Sequence, residues 1–123
     1  MTIVQPSLDN KSGRINAKLV GWEGLTPGDA GYPLSFSVEA DKSVHIYGTF
    51  SGSTAVLEGS NDPRANPDHP DHGSAVWTTL EDASGTLISE SSDSLKQVLV
   101  NPWYLRPRVE AGSGTINVFM LVK

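Results

Sequence analysis

The closing stretch, Tyr104-Leu105-Arg106-Pro107-Arg108-Val109-Glu110-Ala111-Gly112-Ser113-Gly114-Thr115-Ile116-Asn117-Val118-Phe119-Met120-Leu121-Val122, decides the fold class. Successive side chains of a strand point to opposite faces. Ile116, Val118, Met120 and Val122 therefore share one face, and Phe119 and Leu121 share the other. A strand that is apolar on both faces is central and covered, or it is covered by a neighbouring subunit. Ala111–Gly114 reads as the turn of a hairpin that joins this strand to Tyr104–Glu110. Pro107 has no N–H to give to a ladder, so the earlier strand is expected to have an edge or a bulge there.

Working outward, the same two-residue period recurs. In Val44–Phe50, Val44, Ile46 and Phe50 lie on one face, and His45, Tyr47 and Thr49 on the other. Ser51-Gly52-Ser53 then reads as a hairpin turn into a strand over Thr54–Gly59. Further strands are expected at Arg14–Trp22, Pro33–Val38, Ala75–Leu80, Thr86–Ser89 and Gln97–Val100, with Glu81–Gly85 as a turn. One short helix is expected at Ser91–Gln97, capped by Ser92 or Asp93. Twelve glycines and eight prolines interrupt almost every window in which a longer helix would need its period. The pattern predicts an all-β chain forming a single β-sandwich, a jelly roll or related Greek key. Residues 1–13 read as an extended N-terminal arm, with apolar Ile3, Val4, Pro6 and Leu8, and residues 14–123 as the sandwich domain.

The chain has 123 residues, the size of one domain. A fold of this mass exposes on the order of 6,400 Å², about a third of the extended chain, so one core forms without covalent staples. There is no cysteine, which excludes disulfides, thiolate metal sites and thiol catalysis. The formal charge is −5, and such a domain repels nucleic-acid backbone. The N-terminus lacks the basic head and apolar run of a secretory signal, and no stretch has the length of a membrane span. The expectation is therefore a protein made in the cytoplasm, with neither nucleic acid nor membrane as partner. Asn10-Lys11-Ser12 matches a glycosylation acceptor, which is read as chance without a secretory signal.

Stretches with catalytic residue types are sparse. Gly59–Ser74 is long, holds three prolines, and carries Asp68, His69, Asp71 and His72. Imidazole and carboxylate suit a divalent ion, but His69 and His72 flank a proline outside any helix, so the segment reads as a solvated loop with no metal. His45 reads as a surface or interface residue. Glu81 with Asp82, or Glu58 with Asp62, are acid pairs that any acidic chain supplies. No nucleophile elbow, phosphate-cradling glycine loop or His-Glu metal motif occurs. The expectation is no enzyme and no cofactor. Of the three tryptophans, Trp77 is expected to fill core volume. Trp22 and Trp103 are candidates for partner binding, together with Ile3, Val4, Pro6 and Leu8 of the arm.

Three segments carry a resemblance: Gly48–Pro63 (GTFSGSTAVLEGSNDP), Val76–Ser89 (VWTTLEDASGTLIS) and Asn101–Val122 (NPWYLRPRVEAGSGTINVFMLV). The Gly-Thr-Phe strand, the strand ending Glu-Gly-Ser, the Trp-x-x-Leu strand, the aromatic-Leu-Arg-Pro strand and the glycine-rich turn together resemble virion structural proteins of tailed bacteriophages. The resemblance covers about three fifths of the chain. It implies a β-sandwich head decoration (cement) protein on the capsid exterior, with the major capsid protein and further copies of itself, as dimer or trimer, for partners. The alternative it implies is a tail or fibre module that binds a host-surface glycan. No catalytic residue carries over. Residues Met1–Leu8 would then add as a strand to a neighbour's sheet edge.

Overall fold

The computed structural model describes residues 3–10, 17–36 and 40–123. Eleven strands are present: β1 Ile3–Val4, β2 Ser7–Asn10, β3 Lys18–Leu25, β4 Ala30–Gly31, β5 Lys42–Thr49, β6 Thr54–Ser60, β7 Thr78–Thr79, β8 Ser89–Glu90, β9 Ser94–Gln97, β10 Tyr104–Glu110 and β11 Thr115–Val122. One sheet runs β1-β4-β10-β6-β7, with β8 also on β6, and the other runs β2-β3-β11-β5-β9. Without the N-terminal pair, the orders β3-β11-β5-β9 and β4-β10-β6-β7 are those of a jelly roll. The chain is all-β and forms a β-sandwich, as its periodicity implied. No helix among the described residues is long and apolar enough to cross a membrane.

Alternation fills the space between the sheets. Val44 and Ile46 of β5, Leu57 of β6, Leu105 and Val109 of β10, and Ile116, Val118, Met120 and Val122 of β11 form one buried cluster with Val20, Trp22 and Leu25 of β3. A bulge keeps β3 in phase. Ile116 pairs Leu25 and Val118 pairs Trp22, so three steps on β3 match two on β11. The amide of Gly24, inside that bulge, donates to Asn117 Oδ1 at 3.0 Å.

The two expected hairpins are not hairpins. β5 pairs with β11 and β9, and β6 pairs with β10, β7 and β8. Phe50–Ser53 and Ala111–Gly114 therefore carry the chain from one sheet to the other, and the two crossings lie on top of each other. Ser53 is fully buried between them. Its hydroxyl donates to the Ala111 carbonyl and accepts from the Gly114 amide, both at 2.8 Å. A Cβ on Gly112 would lie 2.4 Å from Gly52 and Ser53 backbone atoms, and one on Gly114 would lie 2.3 Å from the Phe50 carbonyl oxygen. The turn residues specify a reversal, but the same residues serve a hairpin or an arch, and only the partners of the flanking strands decide between them.

Pro107 gives a second correction. β10 is not an edge, because it lies between β4 and β6. Leu105 and Val109 exchange backbone hydrogen bonds with Leu34 and with Gly28 and Asp29, so the N–H that Pro107 lacks would have faced the β4 side. Pairing breaks there into Leu34↔Leu105 and Ala30↔Arg108, and Gly31 makes room for the ring. The proline thus explains why β4 has only two residues.

The helix expected at Ser91–Gln97 is also absent. Ser94–Gln97 is β9, paired with Ser43–Ile46 of β5, and the Asp93 carboxylate accepts from the Gly48 amide at 3.2 Å instead of capping a helix. Residues 14–16 and 37–38 of two expected strands lie outside the described residues. Within the first, β3 forms; within the second, Leu34 makes a single bridge.

The arm is paired within the chain. β1 runs parallel to β4, and β2 runs antiparallel to β3 with Ser7 opposite Gly21. Residues 5–6 cross from one sheet to the other on this side. On the opposite side, Glu81↔Leu87 and Asp82↔Val98 bridges join the segment after β7 to those before β8 and after β9. Both sides of the sandwich are thereby closed.

The arches make a direct test. Ser53→Ala leaves the Gly114 amide without its acceptor in a buried corner, and is expected to lower unfolding free energy by about 1–3 kcal/mol. Urea denaturation reads the change. A loss under about 0.5 kcal/mol would show that the corner does not depend on the hydroxyl.

Candidate docking surface

The two outer faces of the sandwich differ. On the six-stranded sheet, Val56, Glu58 and Ser60 of β6 point outward and are nonetheless buried. Glu58 accepts from Arg106 Nε at 2.7 Å and Arg108 Nε at 3.3 Å. The Arg106 guanidinium lies 4.1 Å from the centroid of the Trp77 ring, a cation–π contact. Trp77 was expected in the core; it is half-buried on this outer face. Ala65, Pro67, His72 and Gly73 line a small cleft with Trp77, Arg106, Ile3 and Pro33. The segment from Asn61 to Trp77 is a strap over the sheet.

Asp62 holds the strap at its root. Its carboxylate accepts from the Arg64 and Val76 amides and from the Arg64 guanidinium. Those bonds, the Arg64 side chain foremost, hold its carboxyl well below the usual carboxylate range. Two short 3₁₀ turns, Pro63–Ala65 and His72–Ser74, complete the strap. The His69 ring accepts from the Asp71 amide at 3.0 Å. No group of three or more His, Asp or Glu that could hold a metal ion occurs among the described residues.

Among the described residues, no such cover lies on the five-stranded sheet. Phe119 of β11 stands opposite His45 of β5, and His45 stands opposite Leu95 of β9, while Leu121 pairs with Leu19 and Ser43. These side chains with Tyr47 line a shallow groove of 490 Å³. Tyr47 stacks on Phe119, centroids 6.0 Å apart and planes 16° apart, and lies 4.8 Å from the His45 ring. The Phe119 ring lies over Gly21 so closely that a Cβ there would meet it at 2.2 Å. The glycine lets the ring lie flat across β3. Leu95 is 68% exposed.

A second apolar surface lies at the end of the sandwich away from the arches, where Tyr104 pairs with Ser60. Exposed Val76 and Val100 line a cleft of 420 Å³ there with Ser60, Asn61, Thr78 and Asn101 among others, and exposed Trp103 follows Pro102 of its lining. The Trp103 amide donates to Asn61 Oδ1 at 2.7 Å, and its ring meets Tyr104 edge-on at 6.3 Å.

The candidate residues named from sequence are thus dispersed. Trp103 is on the surface. Trp22 is fully buried; its indole N–H donates to the Tyr32 carbonyl at 3.2 Å, and it packs against Gly31 beside Pro107. Its inward direction follows from sharing a strand face with Val20, so it contacts no partner. Val4 packs on the core, Pro6 is half-buried at the crossing, and Ile3 touches the strap cleft. For Leu8 the structure describes the backbone pairing with Val20. The sheet face was missed as a site, although Phe119, Leu121, His45 and Tyr47 were assigned to outward faces; Leu19 and Leu95 complete it.

No family model matches the chain, and no curated protein matches it. Two solved structures are similar in strand arrangement. A protein from Neisseria meningitidis is 15% identical, with 97% of this chain and 84% of that chain covered and a TM-score of 0.42. A cupin domain from Bordetella pertussis is 10% identical, with 99% and 95% covered and a TM-score of 0.46.

Asp62 carries the prediction here. A carboxyl lowered by its folded partners lends stability above its unfolded pKa and loses it only as pH falls through the folded one. The strap should therefore stay docked at pH 4, where ordinary carboxylates begin to protonate. Hydrogen exchange at the Arg64 and Val76 amides is expected to remain slow at that pH, and to become fast in Asp62→Ala at any pH. Equal protection in the variant would refute the anchor.

Proposed function

We propose that this chain is a non-catalytic coat module, a head decoration protein that sits on the exterior of a tailed-bacteriophage capsid and holds the shell by non-covalent contacts. One observation carries this reading: a self-contained sandwich, closed on both sides, leaves two apolar surfaces bare. These are the groove over Phe119 and Leu121, and the Trp103 end. A subunit that cements a shell needs one surface for the shell and another for its neighbours. The motifs in Gly48–Pro63, Val76–Ser89 and Asn101–Val122 supply the phage assignment as a resemblance. The acidic balance suits the outside of a head better than contact with packaged DNA. Jelly rolls occur in viral capsid proteins, lectins and cupins alike, so the fold does not choose among them.

In this reading the major capsid protein meets the Trp103 end. Exposed tryptophan is a side chain on which interface energy concentrates, and Trp103 is exposed. The expected result is regular, stoichiometric density on the head exterior when virions carrying the chain are imaged, and roughly 30-fold weaker attachment of Trp103→Ala to undecorated heads. Density confined to the tail would overturn the reading.

A second reading rests on the same corner. Trp103 beside the hydroxyls and amides of Ser60, Asn61, Thr78 and Asn101 suits a sugar ring, as in a tail or fibre module for a host glycan. A few copies per particle, and glycan-array binding lost in Trp103→Ala, would select it.

A further inference from the structure

We propose that the outer face of the five-stranded sheet is the contact surface of a face-to-face dimer of this chain. The inference deepens the coat-module reading by naming the occupant of one bare surface.

Charge is the first argument. The chain holds nine Lys plus Arg and fourteen Asp plus Glu, a net −5, so two copies repel in most orientations. Across the centre of this face, none of the outward positions Leu19, Ser43, His45, Tyr47, Leu95 and Leu121 carries a carboxylate, ammonium or guanidinium. Formal charge enters at the margin, where the edge strand β2 sets Asp9 opposite Leu19. The partner that suits the centre is a second neutral, aromatic-aliphatic face, and another copy supplies one.

Area is the second. β3, β5 and β11 have eight residues each, about 26 Å of strand, and five strands at about 4.8 Å spacing span about 24 Å. β2 and β9 have four residues each, so two such faces hide about 1,000 Å² in total, the threshold of a specific interface. The opposite sheet cannot pack this way because its strap occupies it.

Shape is the third. Flat sheets pack face to face at about 10 Å, a gap that side chains from the two faces fill. Phe119, laid flat over Gly21, sits on β11, the middle strand of the five. A two-fold axis along β11 brings the Leu95 margin of each copy over the Leu19 margin of the other, with the Phe119 rings at the centre. Such an interface is isologous and closes at two subunits. It leaves both Trp103 ends free, so the dimer offers a shell two equivalent contacts.

Sedimentation of the whole chain from about 1 to 100 µM tests this. The expected mass is twice 13.1 kDa. His45→Glu with Leu95→Glu, both at exposed positions, should raise the dimer dissociation constant at least ~100-fold, because the two-fold buries each new carboxylate against the partner copy's apolar Leu19 margin with no cation to pair it. Its circular dichroism should match the wild type. Leu95→Glu alone serves if the double variant does not fold. Val76→Glu, at the other surface, should stay dimeric. A wild type monomeric at 100 µM, face variants that associate as the wild type does, or Val76→Glu monomeric to the same degree would overturn the proposal. Head binding separates the two readings: a dimer that binds no heads refutes the coat assignment alone, and a monomer that decorates heads refutes the dimer alone.

Discussion

The buried hydroxyl of Ser53, held between two stacked chain crossings, is the interaction on which the rest of this fold depends. β5 and β6 form one long ribbon edge, and β10 and β11 form the other. Their pairing runs from Thr49↔Thr115 to Thr54↔Glu110 across the corner. A double ribbon bends through such a corner only if its inner turn can nest inside its outer one. Backbone atoms of Gly112 and Gly114 touch those of Phe50–Ser53, with no space for side chains. The nest buries the Gly114 amide, and the Ser53 hydroxyl answers it while donating to the part-buried Ala111 carbonyl. Once the corner is set, β11 must lie between β3 and β5, and β10 between β4 and β6. The two sheets then face each other with their apolar rows inward.

The long strands β3, β5, β6, β10 and β11 were legible because each follows a two-residue period. Ile116–Val122 announced a central position, and β11 occupies one. The connections were not legible, and the reason is physical. A glycine-rich turn such as Ala111–Gly114 reverses a chain whether its strands then pair with each other or diverge into two sheets. Only long-range register separates the cases, and register is a property of partners. Pro107 was misread for a related reason. A proline spoils one side of a strand, not both, and β10 turns its defective side to a β4 shortened to match. At Ser91–Gln97, local capping chemistry pointed to a helix, while pairing with β5 satisfied the backbone in another way.

The site was half legible. His45, Tyr47, Phe119 and Leu121 lay on outward faces by simple parity. Parity could not say whether the outward face would be covered. On the six-stranded sheet it is: Asp62 pins a strap whose Trp77 closes over Arg106, which in turn neutralises buried Glu58. A reader of the sequence sees a proline-rich polar loop there. The fold uses it as a lid for one side of the sandwich, and its Asp62, Asn66 and His69 side chains accept from its own backbone amides. Trp22 shows the limit of reading aromatics by type. Its place beside Val20 in the alternation outweighs any preference of tryptophan for interfaces.

The asymmetry between the faces also argues about cost. Covering the six-stranded sheet takes seventeen residues, Asn61 to Trp77, whose ordering consumes backbone entropy of roughly 1–2 kcal/mol each. The chain supplies that cover once. Leaving the other sheet bare exposes Phe119, Leu121 and Leu95 to water in the free molecule, a state that penalises the monomer and rewards association. In the proposed dimer a matching surface would remove those side chains from water. The domain is in this sense covered on one outer face and, among its described residues, bare on the other.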